Sequence, residues 1–249
     1  MMRRAGPVPS LGALATLVLL ASCAGTGTKT APSASSVVQE PSPADPVAEL
    51  AAAQKALDKH PEDLDALFRV GLAWQRRSEA GGAGVGTAYL DSARAAYDRV
   101  LVRDPKHVRA LVHSGLVLED LKKNDEALER YRRATEAAPE DPHPFVNLGS
   151  LLYFGYHMTY DAKVALQKAL LLDPDNPDAH FNLGVMFADA TLYREARTEW
   201  ERVAAGPDGP AKALAEQNLE KIRPLLAAQD SAAAAARTAP PVPDAAAQH

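Results

Sequence analysis

Residues 108–141 read VRALVHSGLVLEDLKKNDEALERYRRATEAAPED, and this stretch contains two segments with helical periodicity. The residues that recur at helical spacing are Leu111, Gly115 and Leu118 in the first segment and Ala127, Tyr131 and Ala134 in the second. Asn124 and Asp125 separate the segments, and Pro139 follows them. This pattern predicts one pair of helices that pack through small residues.

The same pattern occurs four times in the chain. Its glycine recurs at Gly71, Gly115, Gly149 and Gly184, and its alanine at Ala93, Ala127, Ala162 and Ala196. The distance from each alanine to the next glycine is always 22 residues, whereas the distance from glycine to alanine is 22, 12, 13 and 12 residues. The chain is therefore a repeat protein whose first unit has ten extra residues in its internal turn.

Each unit resembles the tetratricopeptide repeat, although Ser114 stands where that family has leucine before the glycine. The resemblance implies an all-α fold, a right-handed superhelical solenoid of helix-turn-helix repeats. We define units 1 to 4 as residues 64–107, 108–141, 142–176 and 177–210. We expect capping helices at 47–63 and 211–226, and a disordered Ala- and Pro-rich tail at 227–249.

The N-terminus has the pattern of a targeting segment. Arg3 and Arg4 precede an apolar run that is too short to span a bilayer, and residues 20–23 read LASC. These four residues resemble the bacterial lipobox, which implies removal of residues 1–22, lipidation of Cys23 and anchoring to a membrane. The alternative is an ordinary secretory signal with an accidental cysteine. Ala24 favours the periplasmic side of the outer membrane, and residues 23–46 would be the lipidated cysteine and a flexible tether.

The charge of the chain disfavours nucleic acid as a partner. Without residues 1–22, which hold two arginines and no acidic residue, the net charge is −7, and no basic stripe emerges. We therefore expect membrane contact through the lipid alone.

In this family, the first helices of the units line a groove that binds peptides or protein segments. The apolar residues expected in that groove are Phe68, Val112, Val146 and Phe181 at position 5 and Leu72, Leu116 and Val185 at position 9. Asn147 and Asn182, at position 6, would either bond the backbone of a ligand or stabilise local structure. Acidic residues outnumber basic ones at the groove edge, which favours a basic or amphipathic partner.

The sequence shows no catalytic or metal-binding constellation. The Gly-rich loop at residues 78–87 lacks the Gly-Lys-Ser/Thr of a phosphate-binding loop, so it is either a mobile insertion or a docking loop. The histidines lack metal-ligand spacing, and we expect them to be polar residues at loop edges. We therefore predict no enzyme activity, cofactor or metal.

These observations favour an outer-membrane lipoprotein that acts as an adaptor or assembly factor for an envelope complex. Its layout is similar to that of the pilotin lipoproteins, and pilus, secretion, motility and polysaccharide-export complexes are all compatible with it. The alternatives are an accessory of a periplasmic cell-wall enzyme and a self-assembling scaffold.

Overall fold

The computed structural model describes residues 45–80 and 86–238, and every regular element in these ranges is helical. The elements are α1 Pro46–Lys59, α2 Leu64–Ala80, α3 Gly86–Arg103, α4 Val108–Asp120, α5 Asn124–Ala137, α6 Pro142–Ser150, the π-helical turn Leu151–Gly155, α7 Thr159–Leu172, α8 Pro177–Asp189, α9 Tyr193–Ala204 and α10 Pro210–Thr238. The predicted signal peptide, Cys23, almost all of the tether and the centre of the Gly-rich loop lie outside the described residues. No helix in the described ranges is both long and apolar enough to cross a membrane.

The helices form four pairs that stack in chain order. The pairs are α2 with α3, α4 with α5, α6 with α7 and α8 with α9. The second helix of each of the first three pairs also contacts the first helix of the next pair. At the two ends, α1 packs against α2 and α10 packs against α9. The core therefore runs along the stack as a series of contacts between sequence neighbours.

Each pair is held together by a large side chain that lies against the glycine of the first helix. A Cβ on Gly71 would lie 2.5 Å from Cε1 of Tyr97. The equivalent contacts, Gly115 with Tyr131, Gly149 with Leu166 and Gly184 with Trp200, are also closer than 3.0 Å. The four large side chains are fully buried. Only a residue without a side chain allows the two helices to approach this closely.

A polar side chain caps the start of every first helix. Asp63, His107, Asp141 and Asn176 each immediately precede α2, α4, α6 and α8 and accept hydrogen bonds from backbone N–H groups of the first turn. Pro142 and Pro177 then occupy the first helical position, where a missing N–H group costs nothing. These caps explain why each first helix begins at the same place in its unit.

The extra residue of unit 3, visible in its glycine-to-alanine distance of 13, is absorbed by the π-helical turn Leu151–Gly155. In units 2 and 4, the backbone hydrogen bond that ends the first helix joins residues five positions apart, as from Lys123 N to Leu118 O (2.8 Å). In unit 3, the corresponding bond from Met158 N to Leu152 O (2.9 Å) joins residues six positions apart. The extra residue of the π-helical turn thus lies inside this hydrogen-bonded loop, and unit 3 retains the bond that ends its first helix.

Two tyrosines, one within this turn and one immediately after it, connect unit 3 to its neighbours. The Tyr153 hydroxyl donates to Asp189 of unit 4 (2.7 Å), and the Tyr156 hydroxyl donates to Asp125 of unit 2 (2.5 Å). The turn therefore links three consecutive units along one edge of the stack.

The last helix is longer than the sequence suggested. We expected it to end near residue 226, with disorder from 227 onward, but residues 227–238 are helical and α10 continues through Pro224. The Gln229 side chain donates to the Thr191 carbonyl (3.0 Å), and Asp230 pairs with Arg194. These contacts with the start of α9, together with the high helix propensity of the alanine run, extend the helix. The rest of the predicted tail, residues 239–249, lies outside the described residues.

His180 occupies an interior position, where units 2 and 3 have Leu111 and Phe145. Only 3% of it is exposed, so our expectation of a histidine at a loop edge is wrong here. Its Nδ1 lies 2.6 Å from Oε2 of Glu199, and its Nε2 lies 2.9 Å from the Pro174 carbonyl oxygen. Because both partners are acceptors, both ring nitrogens carry protons. The hydrogen bond to Glu199 raises the pKa of His180 above its ordinary value.

Replacing Gly115 by Ala should lower the free energy of unfolding by about 1–3 kcal/mol, because the new Cβ overlaps the ring of Tyr131. Chemical denaturation followed by circular dichroism measures this change. The control is Gly86→Ala, whose Cβ would meet only the Ser78 carbonyl at 3.8 Å. Helix propensity favours alanine in both variants, so equal or higher stability of Gly115→Ala would contradict the crossing contact.

The contribution of His180 to stability should be complete below about pH 6.5 and should be lost as the pH rises through its raised folded-state pKa. His180→Phe, which restores a large apolar side chain, should remove this part of the pH dependence. The measurement is the difference in free energy of unfolding between wild type and variant from about pH 6 to about pH 9. A difference that stays constant over this range would show that His180 is not held as the imidazolium.

Candidate protein-interaction groove

The apolar residues predicted to line the groove lie mainly inside the stack. Phe68, Leu72, Val112, Val146 and Phe181 are buried, as is Ser150 at position 9 of unit 3, and only Leu116 and Val185 are half-buried. A ligand could reach the buried side chains only if the helices separated. Whether a protein segment binds along this face stays a prediction.

The surroundings of Phe68 show why position 5 is inaccessible. Its ring lies 5.5 Å from the ring of Tyr97 in its own unit and 5.2 Å from that of His113 in unit 2, measured between centroids. The Arg109 guanidinium covers it at 4.3 Å from the ring centroid. The side chain therefore fills the boundary between two units and contributes to the stacking contact.

The two asparagines are also buried, with 1% of each exposed. The Asn147 side chain donates to the His143 carbonyl one turn earlier in the same helix (3.0 Å). This bond agrees with the second of the two roles that the sequence left open, stabilisation of local structure. Their role as ligand contacts stays untested.

A buried polar network that we did not predict joins units 1 and 2. Oε1 of Gln75 accepts a hydrogen bond from the Tyr97 hydroxyl and lies 3.1 Å from Nδ1 of His113. Burial, together with the charges of Arg109 and Arg76, lowers the pKa of His113 to about 4. The ring is therefore neutral near pH 7, and its Nδ1–H donates to Gln75. The sequence contained one signal for Gln75. In the alignment of the repeats, it occupies the position that Glu119 has in unit 2.

Three carboxyl groups, those of Glu79, Glu119 and Asp120, lie towards the ends of the first helices of units 1 and 2. The Tyr131 hydroxyl donates to Glu119 (2.5 Å), and burial raises the pKa of Glu119 to about 7. Desolvation also raises the pKa values of Glu79 and Asp120, and the charge of Asp120 adds to the shift of Glu79. The charges of Arg76 and Lys122 partly oppose the shifts of Glu79 and Asp120, respectively. Within residues 45–80 and 86–238, no basic side chain forms an ion pair with any of the three.

Three arginines at the groove edge, which we counted as its basic residues, have contacts of their own. Arg69 pairs with Asp65 (2.8 Å), Arg76 pairs with Glu49 of α1 (2.6 Å), and Arg109 covers Phe68. The charges of Arg69 and Arg76 are thus partly compensated by these carboxylates, and Glu79, Glu119 and Asp120 are the acidic groups that are left at this end of the groove.

No metal centre is evident in the described part of the chain, where no group of three or more histidine, cysteine, aspartate or glutamate side chains could hold an ion. His143 and His180 each have a separate carboxylate partner: His143 lies 2.7 Å from Asp141, and His180 pairs with Glu199.

The fold is shared with known repeat proteins. The tetratricopeptide-repeat family model matches residues 89–142 and 161–211. A double mutant of MamA from strain RS-1 is 25% identical, with a TM-score of 0.51 over 64% of this chain and 83% of that one. MamA from residue 41 onward, from Desulfovibrio magneticus RS-1, is 24% identical, with a TM-score of 0.52. This likeness covers 72% of this chain and 87% of that one.

A likeness to the Cut9–Hcn1 hetero-tetramer of the APC/C, at 17% identity and a TM-score of 0.55, covers 64% of this chain and 28% of that one. A search of curated proteins found no match. The repeat match and the shared architecture confirm the predicted all-α repeat fold. The described helices therefore form a stack of helix pairs that shares its fold with these repeat proteins, and residues 89–142 and 161–211 of it match the tetratricopeptide-repeat model.

Proposed function

We propose that this protein is a lipid-anchored adaptor that captures a basic or amphipathic segment of an envelope protein and promotes assembly of its complex. The fold supports an interaction role, because tetratricopeptide repeats present extended surfaces to peptides and proteins. No catalytic step is part of the proposal.

The observation that carries the proposal is the cluster of three carboxyl groups, those of Glu79, Glu119 and Asp120, on the first helices of units 1 and 2, where no described basic side chain forms an ion pair with them. A lysine or arginine of a partner would supply the missing positive charge and offset the desolvation of these carboxyl groups. Because position 5 is buried, the partner would contact the ends of the first helices and not a deep apolar floor. Binding of this kind weakens with added salt.

The lipid anchor rests on the LASC pattern at residues 20–23. Acylation of Cys23 would place the repeats on the periplasmic side of the outer membrane, with Ala24 favouring that destination. Confinement to the membrane surface would raise the effective concentration of the groove near a membrane-bound partner. Pilus, secretion, motility and export complexes are all suitable settings.

Crosslinking in cells, followed by pull-down from membranes, tests the adaptor role. Glu79→Lys with Asp120→Lys should reduce capture of the partner by at least about tenfold, because two favourable charge contacts become repulsive. The matched control is Glu129→Lys with Glu136→Lys, which makes the same charge change at exposed positions of α5. Equal capture by both variants would exclude Glu79 and Asp120 as contacts of the partner. Replacing the buried Asn147 and Asn182 would be less informative, since it would also disturb folding.

Cys23→Ser should abolish incorporation of a palmitate analogue and release the chain from membranes into the soluble periplasmic fraction. Cys23 is the only cysteine, so no second thiol can accept the lipid. Metabolic labelling followed by fractionation measures both effects. Retention of the label by the variant would rule out Cys23 as the site of lipidation.

A further inference from the structure

Helix α7 carries apolar side chains on its outer side as well as its inner side. The inner residues, Ala162, Ala165, Leu166 and Ala169, are buried in the core. On the outer side, Tyr160 is 79% exposed, Val164 49% and Leu171 77%. With about 100° between successive residues, these three fall within about 40° of one another around the helix axis. We call Tyr160, Val164 and Leu171 the α7 stripe.

The other units do not share this surface. The positions equivalent to the α7 stripe carry Asp125, Glu129 and Glu136 in unit 2, and Arg194, Thr198 and Ala205 in unit 4. Unit 1 has Asp91, Ala95 and Val102 there. The fold itself therefore needs no apolar residue at these positions, and unit 3 is the exception.

Two lysines flank the α7 stripe. On the same helical projection, Lys168 lies about 60° from the centre of the stripe on one side, and Lys163 lies about 80° from it on the other. Their ammonium groups lie over rings of the neighbouring first helices, Lys163 over Phe187 (5.6 Å) and Lys168 over Phe145 (5.8 Å from Nζ to the centroid). An apolar centre with lysines at its borders is typical of helices that lie in a membrane interface, where tyrosine is also favoured. Asp161 lies about 80° from the centre, on the same side as Lys168.

We infer that the α7 stripe contacts a lipid surface. This inference rests on the proposed lipid anchor and replaces our expectation that the lipid alone touches the membrane. The 22 residues between Cys23 and α1 can span at most about 75 Å, so the repeats stay within reach of the bilayer.

The size of the stripe favours lipid over a second copy of the chain. A stable protein interface buries about 800 Å² on each partner and involves about 20–30 residues, far more than three side chains. A weak contact suffices at a bilayer, because the anchor already holds the domain there. With the second helix of unit 3 against the membrane, the first helices and their acidic groove would face the periplasm.

The single cysteine allows a test that does not depend on acylation in cells. The chain from Cys23 to His249, which includes every described helix, is coupled through that thiol to a maleimide-bearing lipid. The vesicles contain dibrominated phosphatidylcholine and phosphatidylglycerol, and the readout is quenching of tryptophan fluorescence by bromine. Leu171→Trp is compared with Val102→Trp, because Val102 holds the equivalent place in unit 1 and is 81% exposed. The chain without either substitution gives the background from Trp74 and Trp200.

Trp at residue 171 should be quenched several-fold more than Trp at residue 102, and adding Tyr160→Ser should reduce the difference. Equal quenching at both positions would overturn the inference while leaving lipidation of Cys23 untouched. Conversely, if the chain with Cys23 intact incorporated no palmitate analogue in cells, the proposed anchor would be overturned without a change in this result. A dimer in solution that Tyr160→Ser converts to a monomer would assign the stripe to a second copy and would also overturn the inference.

Discussion

The close contact between a glycine in each first helix and a large side chain in each second helix is the constraint on which the structure depends. It sets the distance between the two helices of a unit, and the fully buried alanines at Ala93, Ala127, Ala162 and Ala196 keep the rest of the interface equally close. A unit built in this way has only two broad sides left, one for each neighbour. Stacking along a line follows from that geometry, and so does the division of the surface into one face of first helices and one of second helices.

The repeat could be predicted from the sequence because its determinants are local and recur in register. Gly71 and its three counterparts each mark a close helix crossing. The glycine-to-alanine distance in unit 3 is 13 residues, one more than in units 2 and 4, but we drew no conclusion from it. The spacing could not show that a π-helical turn would hold the extra residue, since a longer turn would satisfy the same count. The length of α10 was missed for a related reason: Pro224 suggests a helix end, and the contacts of Gln229 and Asp230 that continue the helix lie 36 or more residues away in sequence.

The groove was harder to predict than the fold, because repeat position indicates which side of a helix a residue occupies but not what covers it. Phe68 is on the expected side and is nevertheless enclosed by side chains of the next unit. Repeat position also failed to predict the surroundings of the buried polar residues. His113 and His180 are both buried histidines in first helices, yet one lies beside an amide and two arginines while the other faces a carboxylate and a carbonyl, so their pKa values shift in opposite directions.

The hydrogen bonds of Tyr153 and Tyr156 depend on which unit precedes unit 3 and which unit follows it. Unit 3 needs an aspartate before it, at the place of Asp125, and another after it, at the place of Asp189. Moved to the end of the array, it would find no following acceptor for Tyr153. If it were duplicated, Tyr160 of the first copy would face Tyr156 of the second, and Phe154 of the second copy would replace Asp189 as the neighbour of Tyr153. Moving or duplicating unit 3 would therefore remove these hydrogen bonds, so unit 3 is not interchangeable with its neighbours.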